Sequence, residues 1–314
     1  MNEPMDIESV NKIRFVKKLA KGGMGTVYEA VQYGAEGFQK TMAVKTLLED
    51  CVHDSEFLTM FIGEAKLVAD LVHDNIAQVY QLGKYKNSFY IAMEYIHGVN
   101  LKEFHDRHIY KNIPIPEELA CFIISRICRA LAYAHNKRDS KGRCLGVVHR
   151  DVSPKNIMIS FEGVVKLTDF GIAKARDFMW TQEGEVLYGK VPYMSPEQAA
   201  FQEIDLRSDI FSLGICLYEL LSGKLLYGDA QTMEILQRIT QEDCPNIRTL
   251  CPNINPKLEN IVNKALKKDR RERYQTAQDM CSDLEHYMYD GGYGPTNQVL
   301  ERYVKTLFPE KIRF

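Results

Sequence analysis

Residues 147–171 read VVHRDVSPKNIMISFEGVVKLTDFG, and the rest of the chain is read outward from them. Ile157, Met158 and Ile159, then Val164, Val165 and Leu167, are two short apolar runs parted by Glu162-Gly163. That pattern predicts a β-hairpin. The polar residues stand just outside the runs, where a rigid scaffold presents reactive groups. His149-Arg150-Asp151, Lys155-Asn156 and Asp169-Phe170-Gly171 are therefore expected at the open end of the hairpin. Asp151 and Asp169 with the Asn156 amide make an all-oxygen donor set. That suits Mg²⁺, a hard cation usually bound together with substrate phosphates.

The 314 residues are 45% hydrophobic, enough for a sizeable core in one large domain or two lobes. With 40 basic and 42 acidic residues the formal charge is -2. No global field favours nucleic acid or an anionic membrane. The eight cysteines form no CxxC pair, which predicts ordinary thiols in a reducing compartment. The polar N-terminus MNEPMDIESVNK is no secretory signal. The most apolar run, 210–221, carries Glu219 and is too short to cross a bilayer. The expectation is a cytoplasmic protein with no membrane anchor and no nucleic-acid partner.

Before the hairpin, residues 13–47 mix apolar and polar residues between glycine turns, a strand-rich opening. KGGMG at 21–25 would let a backbone approach a phosphate, although a glycine-rich turn needs no ligand. Lys45 lies in the apolar strand 41–47. Residues 55–71 carry Phe57, Phe61, Val68 and Leu71 at helical spacing, with Glu64 on the same stripe. A buried acid needs a cation, and Lys45 is the candidate. Further strands are expected at 77–83 and 88–94. From about residue 96 the pattern turns helical, with an amphipathic helix at 117–136 and a buried one at 208–221 closed by Gly223.

These motifs together resemble the Hanks-type, eukaryotic-like Ser/Thr protein kinases of bacteria. SRICRALAYAHNKR, HRDVSPKN and GKVPYMSPEQ look most like the myxobacterial branch. The resemblance covers about 13–284 and implies an α+β bilobal fold: N-lobe 13–95, a small antiparallel sheet with one helix, and a mainly helical C-lobe 96–284. An extension 1–12 and a helical tail 285–314 flank it. The implied activity is γ-phosphoryl transfer from ATP with Mg²⁺, Mn²⁺ being the other ion admitted, to Ser/Thr hydroxyls of proteins, itself included. The alternative is a pseudokinase that binds ATP without transfer. A small-molecule kinase of related fold would lack the SPE segment and Asp209.

By the same resemblance Asp151 is the catalytic base, and Asn156 and Asp169 hold the metal. Leu19, Ala20, Gly22, Gly25, Val27, Ala43, Lys45, Glu64, Met93, Glu94, Ile96 and Met158 make up the nucleotide-binding set. Lys45, braced by Glu64, takes the α- and β-phosphates, Met93 is the gatekeeper and 94–96 the hinge. Glu197 pairs with Arg273, and Asp209 fixes the backbone around His149 and Arg150. Two departures stand out. Ala20 replaces the first loop glycine, and Ser153 and Lys190 stand where the family has a lysine and a threonine. A swap is expected in which Lys190 supplies the missing charge, with Lys155 as the rival donor. Thr181 is the candidate activation phosphosite, paired to Arg150, beside the lone Trp180. The tail stripe Val299, Leu300, Tyr303, Val304, Leu307 and Phe308 is expected to dock on the chain's own helical lobe, the alternative being a partner-binding helix.

Overall fold

The computed structural model describes residues 12–22, 25–47, 55–85, 88–170 and 191–312, without the side chains of 55–57, 60 and 64. The chain divides into two units: 1–69 with 78–95, and 70–77 with 96–314.

The first unit is an antiparallel sheet of β1 (Lys12–Lys21), β2 (Gly25–Tyr33), β3 (Gln39–Leu47), β4 (Val79–Tyr85) and β5 (Ser88–Glu94), in the order β1-β2-β3-β5-β4. Helix α1 (Ser55–Ala69) packs against β4. β3 is the central strand, and Met42, Ala43, Val44 and Lys45 are all buried on it. A run buried on both faces reads as continuous rather than alternating. Ala30, Met42, Val44 and Ala92 form one core layer, with Ile13 and Tyr90 packed against it. Gly25 stands opposite Leu47, where a Cβ would come within 2.1 Å of the Thr46 carbonyl oxygen. Only glycine fits that register.

In the second unit β6 (Gly98–Asn100), β7 (Ile157–Ser160) and β8 (Val165–Leu167) form a small antiparallel sheet. Gly163 makes the β7–β8 turn with φ +76°. The helices are α2 (Leu101–Lys111), α3 (Glu117–His135), α4 (Pro196–Ala199), α5 (Leu206–Ser222), α6 (Thr232–Gln241), α7 (Pro256–Ala265), α8 (Ala277–Tyr289), α9 (Asn297–Leu307) and α10 (Pro309–Ile312). α3 departs from the amphipathic expectation, because Ala120, Cys121, Cys128 and Ala132 are buried along with the Leu and Ile stripe. Those small residues let α5, α8 and β8 pack on several sides of it. α5 is buried from Ser208 to Leu220 and ends at Gly223 with φ +68°, as its sequence predicts.

Residues 70–77 were expected in the N-terminal lobe and group instead with the second unit. Ile76 pairs in parallel with Leu167, Ala77 N–H donates to the Leu167 carbonyl at 2.9 Å, and Asn75 Nδ2 to the Val165 carbonyl at 2.8 Å. Those bonds extend the small sheet, so Ala77 is not part of β4, which begins at Val79. Helix α8 runs through residue 284. Beyond it, Thr296 caps α9, and Leu300, Val304, Leu307 and Phe308 are buried. α9 and α10 pack on α2: Tyr303 hydroxyl meets His108 Nε2 at 2.8 Å, Lys311 meets Glu103 at 2.6 Å, and Arg107 pairs with Glu310.

Among the described residues no helix is long and apolar enough to cross a membrane. Cys121, Cys128, Cys144, Cys216, Cys244, Cys251 and Cys281 are free thiols.

Candidate active site

The site in the second unit is built on the β7–β8 hairpin, and its anchor is a carboxylate distant in sequence. Asp209, 1% exposed in the first turn of α5, accepts the His149 and Arg150 backbone N–H groups at 2.8 Å each. His135 Nε2 lies 2.9 Å from its Oδ2. The helix N-terminus favours an acid there, and the three donors supply what a buried charge needs. Arg150 is thereby held at φ +64°, a left-handed conformation costly for an arginine. Gln198 Nε2 donates to the Arg150 carbonyl at 2.9 Å and secures the same turn from α4.

His149 is wholly buried. Its Nδ1 accepts the Asp151 N–H at 3.2 Å, so its Nε2 carries the hydrogen given to the Thr168 carbonyl at 2.9 Å. Phe170 stands edge-on to the imidazole at 4.6 Å. Thr168 also gives its N–H and hydroxyl to the Asn156 carbonyl, at 2.8 and 3.1 Å. Asn156 Nδ2 donates to the Asp151 carbonyl at 2.7 Å and to its Oδ2 at 2.8 Å. These bonds tie 149–151, 156 and 168–170 into one frame. Both amide hydrogens of Asn156 go to Asp151, which leaves Asn156 Oδ1 to serve as a ligand. Asp169, one residue past Thr168, has φ +60°.

Among the described residues no three His, Cys, Asp or Glu side chains form a metal-holding group. The donors available here are instead oxygens, the Asn156 amide and the Asp169 carboxylate. That chemistry fits a hard cation that keeps part of its water shell and shares phosphate oxygens.

Nearby residues complete the local picture. Ser153 is 4% exposed and Lys155 is exposed. Met158 is half-buried on β7, opposite Asn100 and Lys166, and Ile96 is half-buried. Glu197 and Arg273 form a buried two-bond pair at 2.7 and 2.8 Å. Burial alone would raise the Glu197 carboxyl, but Arg273, helped by the Ser208 hydroxyl, holds it below its ordinary value.

In the first unit Lys45 is 5% exposed on β3, in register with Val27 and Ile91. Ala43 pairs with Met93, itself buried. Glu94 exchanges bonds with Gln78: its N–H donates to the Gln78 carbonyl at 2.8 Å, and its Oε2 accepts the Gln78 N–H at 3.1 Å. Leu19, Ala20 and Gly22 are exposed and Val27 is half-buried. Gly22 N–H donates to the Gly25 carbonyl at 2.9 Å. The Glu64 side chain, Gly171, Thr181, Trp180 and Lys190 lie outside the described residues.

Sequence reasoning missed His135, Thr168 and Gln198. His135 is 74 positions from its partner and carries no local signal. Gln198, three residues past Ser195, could have been found as the far end of a capping box, which the structure contains.

Residues 13–284 match the protein kinase domain family model. The chain is 35% identical over 301 residues to the tyrosine-protein kinase MasK of Myxococcus xanthus, covering 94% of this chain and 46% of that protein. It is 35% identical over 274 residues to the serine/threonine-protein kinase PrkC of Bacillus subtilis, covering 87% of this chain and 40% of that protein. It thus spans less than half the length of these relatives. The kinase domain of Mycobacterium tuberculosis PknI superposes with a TM-score of 0.67 at 23% identity, over 91% of this chain and 98% of that one. That likeness speaks for the fold. The chain belongs to the protein kinase family, in its bacterial eukaryotic-like branch.

Proposed function

We propose that the chain transfers the γ-phosphoryl group of ATP to Ser and Thr hydroxyls of proteins, its own included. Family membership supports ATP with a divalent metal, and the all-oxygen donors favour Mg²⁺, with Mn²⁺ the alternative. The observation that carries the reading is the Asn156 amide, spent twice on Asp151 within a frame that Asp209 fixes.

Phosphoryl transfer asks a protein for alignment and charge compensation more than for covalent work. Asp151 orients the acceptor hydroxyl and takes its proton late, after the oxygen has become acidic. Asn156 Oδ1 and the Asp169 carboxylate hold the metal, which offsets triphosphate charge when bound. Lys45 takes the α- and β-phosphates, with Glu64 as its brace. Gly22 and Gly25 carry the loop over the phosphates. Leu19, Ala20, Val27, Ala43, Met93, Met158 and the 94–96 backbone receive the adenine. Lys190 replaces the lysine lost at Ser153, and phospho-Thr181 orders its loop through Arg150. The free thiols support work in a reducing, cytoplasmic setting.

Ser and Thr as acceptors rest on Pro154 and the Ser195-Pro196-Glu197 phrase, and relatives carry both Ser/Thr and tyrosine names. Labelled ATP with a generic protein acceptor, followed by phosphoamino-acid analysis, tests the reading. Phosphoserine and phosphothreonine are expected; phosphotyrosine alone would overturn the acceptor class. In the same assay Lys190→Ala loses turnover and Lys155→Ala keeps it. Full activity in Lys190→Ala sinks the swap.

A further inference from the structure

Strand β1 carries Lys12, Arg14, Lys17, Lys18 and Lys21 and no acid, although the chain as a whole has a formal charge of -2. Every residue of it except the half-buried Ile13 is exposed. Among the described residues none of the five cations has an ion-pair partner. β1 is also the edge of its sheet and pairs with β2 alone.

The register gives these charges a direction. On β2, Tyr33, Val31 and Glu29 share a face with Val27, which stands opposite Lys45. Lys12 pairs with Tyr33, Arg14 with Val31 and Lys17 with Glu29. Lys17 joins that row because a bulge between Phe15 and Lys17 skips Val16; regular alternation would send it to the opposite face. Three cations thus line one side of the edge, roughly 7 Å apart. Glu29, the one acid of β2, is engaged by the Tyr95 hydroxyl and leaves the row with a net positive charge. Lys18 and Lys21, opposite Tyr28 and Thr26, lie on the other face with Phe15.

Lysines on an edge strand guard against aggregation. An edge built only for that purpose would not also expose Phe15, Val16 and Leu19. A second copy of β1 is a poor occupant, because two such edges would bring both sets of cations together. The alternating N–H and C=O groups of a free edge match another peptide strand, and neither a lipid surface nor a nucleic acid supplies that ladder. We propose that the β1 edge docks an acidic, extended segment of a partner protein. The segment adds as a strand beside β1 and sets alternate carboxylates against Lys12, Arg14 and Lys17.

The test is fluorescence anisotropy of a labelled peptide of alternating Glu and Thr, titrated with the full chain without nucleotide. Wild-type affinity should fall as salt rises from about 50 to about 200 mM. The triple variant Lys12→Glu, Arg14→Glu, Lys17→Glu should bind roughly tenfold or more weakly, and Lys18→Glu with Lys21→Glu within about twofold of wild type. The matching triple glutamine variant, milder for the fold, should lose roughly threefold or more. Amide hydrogen exchange in residues 12–17 should slow when the peptide is bound. No binding, equal losses on the two faces, binding indifferent to salt, or slowed exchange only away from β1 overturns the proposal. Tighter binding to phosphatidylserine vesicles or single-stranded DNA than to the peptide overturns the partner class. A purely protective edge gives no binding at all. Because no nucleotide is present, failure here leaves the phosphoryl-transfer reading intact.

Discussion

Helix α5 carries two buried acids, and their surroundings are opposite. Asp209, in its first turn, collects two backbone N–H groups and the His135 ring, with the helix dipole in its favour. Glu219, in its last turn, collects the Tyr193 hydroxyl and faces His105 at 3.8 Å, with the dipole against it. A saturated carboxylate makes a fixed frame, because each donor lost would leave a buried polar group unpaired. An unsaturated one leaves its neighbours room to adjust. One helix thus holds the HRD turn still at one end and offers an adjustable contact at the other.

The largest effect is expected where saturation is complete. Asp209→Ala should cost about 3 kcal/mol of stability, since it strands two buried donors, His149 N–H and His135 Nε2, and the part-buried Arg150 N–H. Turnover should fall about 10²-fold through misplacement of Asp151. Denaturant melts and single-turnover kinetics check both; wild-type turnover in this variant would show that the frame is not needed.

Arg273→Ala extends the comparison to a second saturated acid. It leaves Glu197 buried without its cation and should cost about 3 kcal/mol, with less effect on turnover than Asp209→Ala. The acid limb carries the same information. Glu197 titrates below its ordinary 4.5 in the fold, so its stabilisation is complete above that value. It is lost as pH falls through the lower folded value. Wild-type melting temperature should drop steeply below about pH 4.5, and the Arg273→Ala protein should show a shallower fall in that window.

Glu219→Gln should be milder, about 1 kcal/mol, because the amide oxygen still accepts from Tyr193. The smallest effect is Tyr303→Phe in the tail, again near 1 kcal/mol or less, since it removes a single bond to His108. Burial lowers the His108 pKa first, with His105 and Lys111 adding to it and the Phe104 carbonyl opposing. Its neutral form is therefore favoured in the fold. Its contribution is full above the ordinary 6.5 and is lost as pH falls through the lower folded value. Thermal melts between about pH 5 and about pH 8 follow it.

The hairpin of 147–171 was legible because its chemistry is local. Two apolar runs and a Glu-Gly turn place His149, Asp151, Asn156 and Asp169 without reference to the rest of the chain. Asp209, Glu197 and Arg273 came from resemblance alone, since nothing in their spacing announces a partner. His135 and His105 were not legible. Each gains meaning from a carboxylate more than 70 positions away, and a lone histidine on a helix leaves no periodic trace. Residues 70–77 misled for a related reason. Apolar residues beside a turn suit either sheet, and only the bonds of Asn75 and Ala77 to β8 decide between them. The cap of α2 was readable and went unread: Asn100 and Glu103 close a capping box at the expected spacing.

The most direct test incubates purified chain with Mg-ATP carrying a labelled γ-phosphate, beside its Asp151→Asn variant. Wild-type protein should label itself or a protein acceptor, and the variant should label neither above background. Equal labelling by both, or labelling by neither, would contradict the account.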